Sequence, residues 1–242
     1  MARMRRELRG QVAIVTGGSS GIGLAVARAL VAQGVSVVIT ARNETHLSEA
    51  RRAIEGAGPA PVETLRADVR RYAEVEAVVA ATVARFGGLD ILINNAGVGI
   101  FGKVSEMTPD QWSQVLDTNL TGVYNTCRAA LPRLEQRGGG YIINISSLAS
   151  TNAFSGGAAY CASKAGLNAF SEALMQEVRH DGVRVSCVLP GSVATAFSGD
   201  ETSGADWKTR AGEVAEVVVN LLRSDPQSIQ SRVEIRPARP RR

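Results

Sequence analysis

The sequence predicts an α/β fold, a single domain on a mainly parallel seven-stranded sheet with helices on both faces. Three observations carry this. Short Val- and Ile-rich runs alternate with longer amphipathic segments along the whole chain. The runs are apolar on both faces, as a parallel sheet covered by helices requires. Each connection between runs has room for a crossover helix, and the right-handed rule for such crossovers makes the sheet doubly wound. A chain of 242 residues with 45 % hydrophobic and 21 % charged residues fits one globular domain over 1–242 and excludes a disordered or collagen-like chain.

Val12–Thr16 is the first strand and ends in Gly-Gly. Ile22, Ala25, Val26, Ala29 and Leu30 then recur at helical spacing. Gly34 punctuates, and Val35–Thr40 is the second strand. A polar helix over about Glu44–Glu55 leads through Gly-Ala-Gly-Pro to the third strand, Val62–Leu65. Val75, Val78, Val79, Val83 and Phe86 mark the next helix, and Leu89–Ile93 is strand four. One long helix is expected from the N1-type Pro109 to Glu135, stopped by Gly138–Gly140. Tyr141–Ile145 is strand five, Gly157–His180 a helix and Val183–Leu189 strand six. Glu213–Leu222 is helical, and Val233–Ile235 is the last strand.

The net charge of +4 is carried by the ends. Arg3, Arg5, Arg6 and Arg9 face only Glu7, and Arg236, Arg239, Arg241 and Arg242 close the chain, so the body is net acidic. Nucleic acid is not an expected partner, and residues 1–9 and 237–242 read as flexible basic tails. No apolar run approaches about 18 residues, so no membrane span is expected. The N-terminus lacks the apolar stretch of a secretory signal. Cys127, Cys161 and Cys187 show no CxxC spacing and read as buried thiols in a reducing cytoplasm. His46 and His180 do not cluster, and no metal site is expected.

Thr16-Gly17-Gly18-Ser19-Ser20-Gly21-Ile22-Gly23 joins the first strand to the first helix. Glycines there permit a tight turn and close backbone approach, and the helix N-terminus offers N–H groups to a pyrophosphate. The same residues satisfy G-x-S-x-G, but a hydrolase elbow after the first strand would have no preceding strands to build an oxyanion loop. Sites that prefer NAD usually carry an acidic residue at the end of strand two. Here Ala41 stands at that point and Arg42 follows, a cation suited to a 2′-phosphate, so NADP(H) is expected over NAD(H).

Tyr160 and Lys164 lie four residues apart, one helical turn on one face. An ammonium there can lower a tyrosine pKa and let the phenol exchange protons near neutrality. Of 27 basic residues only Lys103, Lys164 and Lys208 are lysine, which marks position 164 as one needing a compact ammonium.

With these motifs the chain resembles the short-chain dehydrogenase/reductase family over about residues 10–235. The matching elements stand in order: Thr16–Gly23, Asp68-Val69, Asn94-Asn95-Ala96-Gly97, Asn119, Ser147, Tyr160 with Lys164, and Pro190-Gly191. The resemblance implies a Rossmann fold and hydride transfer between NADP(H) and a carbonyl or secondary alcohol. It makes Tyr160 the general acid/base and Ser147 the carbonyl's hydrogen-bond partner. It makes Lys164 the residue that binds the nicotinamide ribose and lowers the Tyr160 pKa, and Asn119 the holder of a relay water. It also implies cofactor contacts from Gly17–Gly23, Arg42, Asp68, Val69, Asn95 with Ala96 and Gly97, Pro190, Gly191, Val193 and Thr195. Ser147 is chosen over Ser146 by its spacing of 13 residues from Tyr160.

Ala196–Arg210 falls where the family keeps a substrate lid, and its shortness points to small or end-on substrates. Phe101, Phe154, Phe197 and Leu148 are candidate apolar walls. The Arg-rich ending lacks the Gly-Gly of β-ketoacyl-carrier-protein reductases, which leaves 3-oxoacyl-[acyl-carrier-protein] reduction as the second reading and an NADPH-binding regulator as a non-enzymatic third. Two long helices, Pro109–Glu135 and Gly157–His180, resemble those that pair across family tetramers, so a homotetramer is expected and a dimer second.

Overall fold

A computed structural model describes residues 7–195, 197 and 206–239. The strands are β1 (Val12–Thr16), β2 (Ser36–Ala41), β3 (Val62–Arg66), β4 (Ile91–Asn94), β5 (Gly140–Ile145), β6 (Val183–Pro190) and β7 (Arg232–Ile235). They pair in parallel in the order β3-β2-β1-β4-β5-β6-β7. The chain builds outward from β1 to one edge, then returns to the other side of β1 at β4. Successive crossovers therefore leave β1 and β4 in opposite directions, and a crevice opens beyond their C-terminal ends.

The helices are α1 (Gly21–Ala32), α2 (Glu44–Ile54), α3 (Tyr72–Phe86), α4 (Pro109–Leu116), α5 (Gly122–Gln136), α6 (Ala158–Val178) and α7 (Ala211–Leu222). The two-residue alternation of the strands sorts the core into two layers. Ala13, Val15, Val37 and Ile39 face α1, α2 and α7. Ile14, Val38, Leu92 and Ile142 face α3, α5 and α6. This is the doubly wound fold expected above.

Two expectations are corrected. The helix over Pro109–Glu135 is interrupted: α4, started by a Thr108–Gln111 capping box, runs into a π-helical turn at Asp117–Thr121 before α5 begins. The extra residue turns Asn119 inward, where it is fully buried. The expected tail 1–9 also joins the fold in part, because Leu8 packs into the first core layer and Gly10 donates its N–H to the Gly34 carbonyl. Residues 1–6 and 240–242 lie outside the described residues.

Asn94 knits the sheet to the helix layer. Its amide donates to Asn144 Oδ1 at 2.8 Å and to Cys127 Sγ at 3.3 Å, and its carbonyl accepts from the Thr126 hydroxyl at 2.6 Å. Asn144 in turn donates to the Ser171 hydroxyl at 2.8 Å. Asn94→Ala leaves buried partners unsatisfied and is expected to cost about 2–4 kcal/mol in urea unfolding. A loss under about 1 kcal/mol would mean that the network relaxes around the gap.

Candidate active site

The crevice at the strand ends is a cleft of about 1600 Å³. Its floor is the turn after β1. Gly17 has φ +63°, and a Cβ there would fall 2.9 Å from the Ala96 Cα. Ser19, Ser20, Gly21 and Ile22 line the cleft with Gly17. Ser20 starts α1 without a side-chain cap, so the first N–H groups of the helix point at the space above it. Gly18 and Gly23 do not line the cleft, contrary to expectation. Gly18 donates its N–H to the Thr40 carbonyl and packs on Ile39, and a Cβ on Gly23 would sit 2.3 Å from the Gly17 carbonyl oxygen. Their role is to let the turn close.

The Thr16 hydroxyl, a feature the motif reading missed, accepts from the N–H groups of Asn95 at 3.0 Å and Ala96 at 3.1 Å. It thereby ties the turn to the segment after β4. The Asn95 amide donates to the Thr16 and Gly17 carbonyls, both at 3.0 Å. Those donors position the turn, and Asn95 itself lines the cleft. Ala96 and Gly97 line the cleft beside it.

At one end, Ala41, Arg42, Asn43, Asp68 and Val69 line the cleft. Asp68 is committed elsewhere. Arg70 grips its carboxylate at 2.5–3.0 Å and holds it below its ordinary pKa, and Arg42 adds a smaller attraction in the same sense. Among the described residues lining the cleft, Asp68 is the one carboxylate, and Arg42 attracts it. At the other side Pro190, Gly191, Val193 and Thr195 line the wall. Thr195 stands over the start of α1, its Cγ2 at 3.4 Å from a Cβ built on Gly21. The expected tail from 237 begins in this wall too, since Pro237 lines the cleft next to Gly191.

Ser147, Tyr160 and Lys164 meet at the centre. The Ser147 hydroxyl accepts from the Ala149 N–H at 3.1 Å and faces the Tyr160 phenol across the cleft. Ser146 is buried, bonded through its hydroxyl to the Lys164 carbonyl at 3.3 Å, so the two serines have different duties. Lys164 is buried and donates to the Ile145 carbonyl at 2.9 Å. Burial lowers its pKa to about 8. Burial raises the Tyr160 phenol above its ordinary value, with the Ser147 hydroxyl pulling the other way. The ammonium lies 5.8 Å from the Tyr160 ring centre and does not offset that burial.

Asn119 is pinned through its side chain. Its carbonyl accepts from the Val98 N–H at 2.8 Å, and its amide donates to the Val98 carbonyl at 2.9 Å and the Ser163 hydroxyl at 3.0 Å. Ser163 donates onward to the Tyr160 carbonyl at 2.7 Å. With its side chain so occupied, Asn119 clamps the Gly97-Val98 strip against α6. Of the segment 196–210, only Phe197 and 206–210 are among the described residues.

The fold and this site define a dinucleotide-dependent oxidoreductase. The model of the short chain dehydrogenase family matches residues 11–206, and the chain belongs to that family. It is 37 % identical to an uncharacterized oxidoreductase of Staphylococcus saprophyticus, over 96 % of this chain and 99 % of that one. It is 36 % identical to dehydrogenase/reductase SDR family member 4 of Oryctolagus cuniculus, over 90 % and 82 %. A point variant of actinorhodin polyketide ketoreductase, solved with NADPH, superposes with a TM-score of 0.87 at 32 % identity, covering 97 % of this chain and 98 % of that one. Enzymes of this family use NAD(P) and act on small molecules. Among the described residues no helix is long and apolar enough to cross a membrane.

Proposed function

We propose that this enzyme reduces a carbonyl to a secondary alcohol with NADPH, using the one domain for both cofactor and chemistry. The observation that carries the reading is the meeting of the Ser147 hydroxyl and the Tyr160 phenol in the cleft, with Lys164 buried behind them. The cofactor fits because the Gly17 turn leaves room where a side chain would intrude and the start of α1 has uncapped donors. Gly17, Ser19, Ser20 and Ile22 would hold the pyrophosphate, Val69 would flank the adenine, and Val193 would meet the carboxamide. When bound, the nicotinamide supplies the hydride.

Tyr160 donates its proton to the carbonyl oxygen as the π electrons move onto it. Ser147 hydrogen-bonds that same oxygen and stabilises the growing charge. Lys164 has one donor on Ile145, which leaves its ammonium two more for the ribose hydroxyls and for reprotonating Tyr160. Turnover of NADPH with a panel of aldehydes, ketones, 3-oxo acids and a β-ketoacyl thioester tests the reading; binding of NADPH with no turnover on any of them would contradict it. The likeness to a polyketide ketoreductase favours a carrier-bound β-ketoacyl substrate as the second reading, and preferred turnover of the thioester would establish it.

NADPH preference rests on Arg42. Arg42→Asp is expected to raise the NADPH KM about 10–100-fold and make NADH the better coenzyme. Equal use of NADH and NADPH by the wild type would remove the basis for this. Cytoplasmic residence fits three cysteines that are all free and buried. A homotetramer, with a dimer second, fits the exposure of Trp112 on α4 and Tyr124 on α5, and light scattering reads it directly.

A further inference from the structure

Three phenylalanines are left half-exposed around the reacting groups. Phe101, Phe154 and Phe197 are 45 %, 48 % and 46 % exposed, and all three line the cleft. The chain has only five phenylalanines, and the other two, Phe86 and Phe170, pack against the core. Rings held in contact with water forfeit burial that a core position would supply, so a cluster of them in a cleft marks a surface that a ligand covers.

The rings come from three separate connections and converge on Tyr160. Phe101 meets the Tyr160 ring edge-on, centres 5.7 Å apart and planes at 71°, and Phe197 meets it at 5.8 Å and 52°. Phe154 stands 5.9 Å from Phe101. The connections are fitted to the rings. The Gly102 N–H donates to the Gly156 carbonyl at 2.9 Å and ties the Phe101 and Phe154 segments together. A Cβ on Gly99 would fall 2.7 Å from Phe101 and 2.9 Å from Phe197, and one on Gly157 would fall 2.6 Å from Phe154. Side chains at 99 and 157 would push the rings out of place.

The charge of the cleft narrows the occupant. Among the described residues its only carboxylate is Asp68, at the opposite end and gripped by Arg70. Lys164 lies 5.8 Å from the Tyr160 ring, and Lys208 and Arg236 also line the cleft. An aromatic cluster without a carboxylate and beside an ammonium does not suit a cationic ligand, although rings alone can bind one. We propose that the substrate is a ketone with an aryl group on its carbonyl carbon, seated with the aryl ring among Phe101, Phe154 and Phe197. Offset or edge contacts to those rings orient the ring plane. The carbonyl then lies toward Ser147 and Tyr160, takes a hydride at carbon from reduced nicotinamide and a proton at oxygen from Tyr160, and leaves as the benzylic alcohol. This proposal rests on the reductase reading above.

Acetophenone, butan-2-one and acetoacetate, each with NADPH, test it. The kcat/KM for acetophenone is expected to exceed the other two by about 10-fold or more. Phe101→Ala and Phe154→Ala are each expected to erase most of that ratio through KM, with the NADPH dissociation constant within about twofold as evidence of an intact fold. Butan-2-one or acetoacetate matching acetophenone, or a ratio unmoved by both substitutions, would overturn the proposal and leave the reductase reading standing. If none of the three is reduced, calorimetric titration of acetophenone into the NADP⁺-loaded protein decides. Binding that both substitutions weaken supports the aryl site while the reductase reading falls, and absence of binding overturns the aryl site.

Discussion

Tyr160→Phe is expected to lower kcat by about 10³-fold or more while the NADPH dissociation constant changes less than about twofold. Phenylalanine keeps the ring that Phe101 and Phe197 pack against, so the shape of the cleft survives. What disappears is the hydroxyl that Ser147 faces and the proton the carbonyl oxygen must receive. Steady-state turnover and a fluorescence titration with NADPH measure the two quantities separately. Retained turnover would assign the proton to another group, and lost NADPH binding would make Tyr160 a binding residue instead.

The second large effect concerns Lys164. Burial lowers its pKa to about 8 and raises that of Tyr160, so as pH rises from neutrality the ammonium loses its proton before the phenol does. Carbonyl reduction needs both groups protonated. The kcat/KM is therefore expected to be flat below about pH 8 and to fall about tenfold per unit above it, with a one-proton limb set by Lys164. Lys164→Arg keeps the charge at all these pH values. It is expected to lose about 10²-fold in kcat, because a planar guanidinium does not fit the ammonium's place, and to lose the break near pH 8. A break that persists in this variant would belong to another group. Stability carries the same signature. Unfolded lysine titrates near 10.5 and the folded one near 8, so between those values the folded state binds fewer protons and its stability rises with pH. Below about pH 8 the buried charge is a cost, and Lys164→Met is expected to raise Tm there.

The strands were readable because a buried parallel strand is a run of β-branched residues with no polar face, and Val12–Thr16 or Ile91–Asn94 can hardly be anything else. The π turn at Asp117–Thr121 was not readable, since an inserted residue leaves helical periodicity intact on both sides of it. Leu8 was hidden as one apolar residue in a basic stretch, and only the packed core shows where it goes. At the site, spacing placed Ser147, Tyr160 and Lys164, and the structure brings them together. Spacing was silent on how residues divide their work. Gly18, Gly23, Asn95 and Asn119 belong to the motifs, yet their contacts hold the turn and the Val98 strip in place. The Asp68–Arg70 pair was open to reading two residues apart, since an arginine beside a carboxylate competes for it with any ligand. The burial that raises the Tyr160 pKa is a property of packing and has no local signal in the chain.

The most direct test is a single turnover of NADPH and a carbonyl from the panel on an excess of enzyme, with loss of NADPH absorbance and appearance of alcohol followed together. The account predicts that wild-type protein forms one alcohol for each NADPH consumed and that the Tyr160→Phe protein, loaded with NADPH to the same extent, forms none on that time scale. NADPH consumed without alcohol, or alcohol formed equally well by the Tyr160→Phe protein, would contradict it.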